Sequence, residues 1–181
     1  MAAFHLSKPK WIALIAVILL TAAAVWFFYF RTDDASAVRA RVREAVAYAE
    51  KQPKGSGFNL QNVGTSRAVG DFFTQETDIS ISGVSRGQTY TLSATTRAQL
   101  TSSYFLMRPL LTSLSVSLGG IEVDFADSSH KTATVTCSVM ATGTTQNADL
   151  FREARTIRAE LVLEDDGEWR FRSLRADPVF D

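Results

Sequence analysis

The chain is 181 residues long and formally neutral, with 19 Lys+Arg against 19 Asp+Glu. That balance argues against nucleic acid as a partner, because a phosphate-backbone binder needs a basic face. A single cysteine, Cys137, excludes an intramolecular disulfide, and with His5 and His130 as the only histidines no zinc-type Cys/His cluster can form. No metal and no cofactor are expected, and Cys137 reads as a small core residue.

In chain order, residues 1–10 form a short tail carrying Lys8 and Lys10, followed by an uncharged apolar run from Trp11 to Phe30. At roughly 1.5 Å of rise per residue, a helix of that length covers about 30 Å, the hydrocarbon thickness of a bilayer. The run continues past Ala22-Ala23-Ala24 and is longer than the roughly 7–15 residues of a signal-peptide core, so it reads as an anchor and not a cleaved signal. Trp11 at one end and Trp26 and Tyr29 at the other are placed for the two membrane interfaces. The two tail lysines favour an N-terminus inside, with the following domain outside the cytoplasmic membrane, in a periplasmic or extracytoplasmic position. Arg31, Arg39, Arg41 and Arg43 compete with that orientation. Residues 31–34 are a spacer, and residues 35–181 are one domain with its own core.

Within that domain, Val38, Val42, Ala45, Val46 and Ala49 form one apolar stripe and predict a helix over 35–52, stopped by Pro53 and Gly55. Arg41 does not share a helix face with Arg39 and Arg43, so the three arginines read as a solvated surface. Residues 60–73 read as a short helix weakened by Gly64 and Gly70. Alternation then predicts strands at 78–82 and 89–92 around a Gly83–Gly87 turn, and helical spacing returns over 95–111 until Pro109. The rest alternates as strands. Leu114, Val116 and Leu118 are followed by Ile121, Val123 and Phe125, with the phase flipping at Gly119-Gly120 as in a β-bulge. A break between two strands is the other reading of that flip. Residues 133–141 and 157–163 follow, and Asp165-Asp166-Gly167 turns the chain into a last strand over 168–176. The order is helix, short helix, hairpin, helix, then a four-strand antiparallel meander: an α+β domain with helices against one face of a sheet.

Two segments carry a family resemblance. Phe72-Phe73-Thr74-Gln75-Glu76-Thr77-Asp78-Ile79-Ser80-Ile81 and the hairpin from Arg155 to Phe171 resemble the nuclear transport factor 2-like superfamily, also called SnoaL-like or cystatin-like. The resemblance spans roughly Ala35 to Phe180. It implies a cone of helices on a curved, mainly antiparallel sheet, with a pocket at the open end and a sheet face that serves dimers. Ketosteroid isomerase-type members use a helix tyrosine and two aspartates, which maps onto Tyr48 and Asp78 with no match for the second acid. Asp124 alternates against Val123 and Phe125 and points away from them. A dehydratase-type site needs histidines in the cone, and His130 sits in a polar turn. Tyr48 and Tyr104 either line a ligand pocket or bury their rings in the core. No P-loop, GxSxG, HExxH or GxGxxG is present.

With no acid–base pair facing one pocket, the sequence favours a membrane-anchored, non-catalytic interaction or assembly domain. Its expected partners are the lipid bilayer and either other membrane-complex proteins or a second copy through the sheet face. The alternative is a small apolar ligand in the cone, and after it an isomerase or dehydratase. An apolar sheet face would mark a scaffold, and a sizeable cavity without an acid–base pair would mark a binder.

Overall fold

A computed structural model describes residues 34–51, 60–85 and 88–178. The chain divides into two units, Met1–Ser36 and Ala37–Asp181. The tail 1–10, the run 11–30 with Trp11, Trp26 and Tyr29, and the spacer up to residue 33 lie outside the described residues. Among those described, no helix is long and apolar enough to cross a membrane.

The elements are α1 (34–50), α2 (Leu60–Gly70), β1 (Phe73–Ser85), β2 (Gln88–Thr96), α3 (Arg97–Met107), a 3-10 turn (Arg108–Leu110), β3 (Leu111–Phe125), β4 (Thr132–Thr145), β5 (Leu150–Leu163) and β6 (Trp169–Pro178). One six-stranded sheet has the order β2-β1-β6-β5-β4-β3. The meander β3–β6 is antiparallel as expected, but β6 also pairs in parallel with β1, so the sheet is mixed. The strands are longer than the alternation alone suggested: β1 begins at Phe73 and β5 at Leu150. The helix expected over 95–111 is shorter, because Pro109 forces its last turn into 3-10 geometry. Its start is set by Thr96, whose hydroxyl accepts the Gln99 amide proton.

The core lies between α1 and one face of the sheet. Val38 and Val42 of α1 meet Ala133, Val135, Ala159, Leu161 and Phe171 of the strands, all buried. Burying each such Val or Leu stabilises the domain by roughly 1.5–3 kcal/mol. The pairing of β3 with β4 shifts register between Gly119 and Glu122, and Gly120 has φ of 57°. This is the bulge read from the sequence. It keeps Leu118 and, beyond it, Ile121, Val123 and Phe125 all packed against the same core.

The opposite, outer face of the sheet is polar. Thr134, Thr136 and Thr142 of β4 alternate with core residues, and Arg172 of β6 bonds Glu160 of β5. Strand β3 is an edge strand, and α1 closes its open side. Arg39 Nε donates to the Ile121 carbonyl at 3.3 Å, and Glu50 Oε1 accepts the Val116 amide proton at 2.6 Å. From Arg39 to Glu50 a helix rises about 16 Å, and from Ile121 to Val116 a strand spans about 16 Å. The two run in step, so side chains from one helix satisfy backbone groups along the edge.

Arg39 and Arg41 of α1 therefore do not belong to a solvated face, whereas Arg43 is exposed as expected. Arg41 Nε donates to the Trp169 carbonyl at 3.0 Å, its guanidinium lies 4.3 Å from the Phe72 ring centroid, and it pairs with Glu44 at 2.9 Å and Glu168 at 3.4 Å. The pull of specific acceptors on a long side chain overrides the helical-face argument.

Candidate functional site

A groove of about 690 Å³ opens where the C-terminal end of α1, the α3–3-10 segment, the start of β3 and the β4–β5 turn meet. Its walls are Ala49, Met107, Leu110, Leu111 and Leu114, with Tyr104 and Arg108 contributing the polar groups on the helix side. Met107 and Leu110 are 46% and 55% exposed, high values for large apolar side chains on a folded surface. The turn side is pinned by Gln146, whose amide N–H donates to the Leu110 carbonyl at 2.9 Å and whose Nε2 donates to the Pro109 carbonyl at 2.8 Å. Asp149 stands on the same side.

Arg108 and Tyr104 are where they are because α1 ends there. The last carbonyls of a helix have no partner within it. Arg108 donates Nε to Ala49 O at 3.2 Å, Nη2 to Glu50 O at 3.0 Å and Nη1 to Leu111 O at 3.1 Å, and the Tyr104 hydroxyl donates to Ala49 O at 3.2 Å. Arg108 is only 5% exposed. Among the described residues no carboxylate lies within ion-pair distance of it; Glu50, the nearest in sequence to its acceptors, spends its carboxylate on Val116. Burial pushes the Tyr104 phenol above its usual pKa, and the neighbouring Arg108 charge and hydrogen bond pull the other way.

The two residues suggested by the isomerase pattern are not brought together. Asp78 is exposed on the outer face, 3.9 Å from Arg175, while the Tyr48 ring packs inward at 5.4 Å from Phe72 with the Lys51 ammonium 3.3 Å above it. The two positions suggested for a ligand pocket separate as well: Tyr104 lines the groove, whereas Tyr48 contributes a backbone carbonyl behind it. Asp124 is exposed, as its phase required. His130 stacks on Phe125 at 4.4 Å between ring centroids, which the polar turn around it did not suggest. Among the described residues no group of His, Cys, Asp and Glu could hold a metal ion.

One pair on the helix-facing side of the sheet escaped the sequence reading. The register of β4 with β5 is continuous, with Leu161 opposite Ala133, Arg155 opposite Val139 and Glu153 opposite Ala141. Glu153 and Arg155 thus share the face of Ile157 and Leu161. Glu153 Oε2 accepts from Arg155 at 2.9 and 3.1 Å, and Arg155 also reaches over β6 to the Ser82 carbonyl. The signal was available: carrying the alternation back from Leu161 and Ile157 lands on these two charges.

Comparison with solved structures supports the same architecture. A nuclear transport factor 2-like protein with a cystatin-like fold from Novosphingobium aromaticivorans is 14% identical with a TM-score of 0.61, covering 88% of this chain and 90% of that one. Hexachlorocyclohexane dehydrochlorinase LinA-type3 from Novosphingobium barchaimii is 11% identical with a TM-score of 0.58, covering 83% and 89%. A ketosteroid isomerase-like protein from Erwinia carotovora atroseptica is 13% identical with a TM-score of 0.57, covering 82% and 98%. At these identities the likeness is one of fold. No curated protein matches the chain. Residues 63–175, from α2 through most of β6, match the SnoaL-like domain, and the chain belongs to that family.

Proposed function

We propose that this SnoaL-like domain is a non-catalytic binder that holds a small apolar ligand in the groove between α3, the start of β3 and the β4–β5 turn. The observation that carries this reading is the groove itself: about 690 Å³, within the roughly 300–1,000 Å³ of small-molecule sites, with apolar walls and few polar groups. Tyr48 and Asp78 facing different ways adds support, because proton transfer needs its groups in one place. The polar outer sheet face makes assembly through that face the weaker of the two non-catalytic roles. The expected anchor at residues 11–30, N-terminus inside, belongs to the same proposal. It is supported by an uncharged run of bilayer length.

The groove is tested with the full chain in non-ionic micelles by following its thermal unfolding through tryptophan fluorescence while titrating decan-1-ol. A saturable rise in Tm is expected for the native chain and not for Leu110→Glu, a change at a half-exposed position that leaves the core intact. An equal response in both would remove the groove from the account. Retention in the membrane pellet after alkaline carbonate, with cleavage of the domain by protease added outside, checks the anchor and its sidedness.

The inward pair Glu153–Arg155 favours a second reading, an enzyme whose carboxylate works from the sheet face. A ligand complex with the bound molecule against Glu153 instead of Met107 would move the site there.

A further inference from the structure

We infer that the groove selects an apolar chain ending in a carboxylate, with Arg108 receiving the anionic head; this rests on the groove being a ligand site at all. A guanidinium has five N–H donors. Three of those of Arg108 go to the carbonyls of Ala49, Glu50 and Leu111. A fourth meets the Tyr104 hydroxyl, which leaves one N–H for a ligand oxygen, enough for a single charge-assisted bond.

Charge points the same way. The acceptors of Arg108 are all neutral, three carbonyls and the Tyr104 hydroxyl. The end of α1 supplies the equivalent of about half a negative charge, against the full positive charge of the guanidinium. Arg108 is 5% exposed, so water does little to screen the remainder. An anion arriving from the groove completes a pair that the fold leaves half-made, while Met107, Leu110 and Leu114 cover its chain. Asp149 on the turn side opposes a second negative charge there and favours a head group seated on the helix side.

The test compares decanoate with decan-1-ol, ligands of equal chain length, by tryptophan-monitored thermal unfolding of the full chain in non-ionic micelles at neutral pH. Decanoate is expected to bind about tenfold tighter, the equivalent of one charge-assisted hydrogen bond. The ratio of affinities should fall to about one in Arg108→Gln. Since Arg108 also caps α1, a second variant guards against misfolding: Asp149→Asn, at an exposed site, should raise the ratio about two- to threefold by removing the opposing charge. Equal affinities in the native chain, or a preference that survives Arg108→Gln, would overturn the anion site while leaving the groove as an apolar site. If neither ligand shifts the transition, the groove reading falls as well.

Discussion

Leu161 is fully buried near the C-terminal end of β5, among Ala133, Phe171 and the valines of α1. Truncation to alanine removes three carbons from a site with no room to collapse. Leu161→Ala is expected to cost about 2–5 kcal/mol, read as a lower urea midpoint at unchanged slope. Asp166 shows a different kind of residue effect. Its carboxylate is hydrogen-bonded by the Arg170 guanidinium and the Glu168 amide in the last hairpin, which holds its pKa below the usual aspartate value. A carboxyl depressed in the folded state stabilises above the unfolded pKa and loses that contribution as pH falls through the folded one. Acid unfolding curves between pH 5 and pH 2 should therefore show a small loss in the native chain that is absent from Asp166→Asn. Cys137 is buried in β4, and burial pushes its thiol pKa up. Its place on the alternating face made this legible from sequence. The roles of Arg41 and Arg108 were not, because where a long side chain finds its acceptors depends on elements far away in the chain.

At the scale of elements, two substitutions probe how the sheet edge is built. Glu50→Ala leaves the Val116 amide on the open side of β3 without its charged acceptor, at a cost of about 1.5–3 kcal/mol. The same change should promote self-association at high concentration by light scattering, since an uncovered edge templates strand pairing. Gly143 lies under the Phe151 ring. A methyl group there would sit 2.7 Å from the ring carbons and press on the Ser113 carbonyl, so Gly143→Ala should lower stability by about 1–3 kcal/mol despite being a one-carbon change. Local pattern revealed the helices, the meander and the bulge at Gly119-Gly120, because periodicity and glycine are local signals. The parallel pairing of β1 with β6 was not legible, since residues almost a hundred positions apart leave no trace in either strand's alternation. The same holds for the groove. It is assembled from four separate segments, and the sequence pointed to only one of its walls, through Tyr104.

For the unit 37–181 as a whole, the sheet has one apolar face and one polar face, and α1 serves both the core and an edge. The apolar face is filled by the helix, and the exposed large apolar side chains lie elsewhere: Met107 and Leu110 in the groove, and Leu92, Leu106 and Leu150 outside it. The double service of α1 makes the molecule respond unevenly to force. A load entering the domain at residue 34 travels along α1, the element fastened to β3 by Arg39 at one end and Glu50 at the other. Such fastenings break one after another, as in a zip, whereas a load entering through β6 meets strands bonded on both sides. In an optical trap the domain should yield at lower force when held at residue 34 than when held at residue 178, with the first step releasing a helix. A tether at the N-terminus would then be a mechanical input, since tension on it bares the one strand edge the helix conceals.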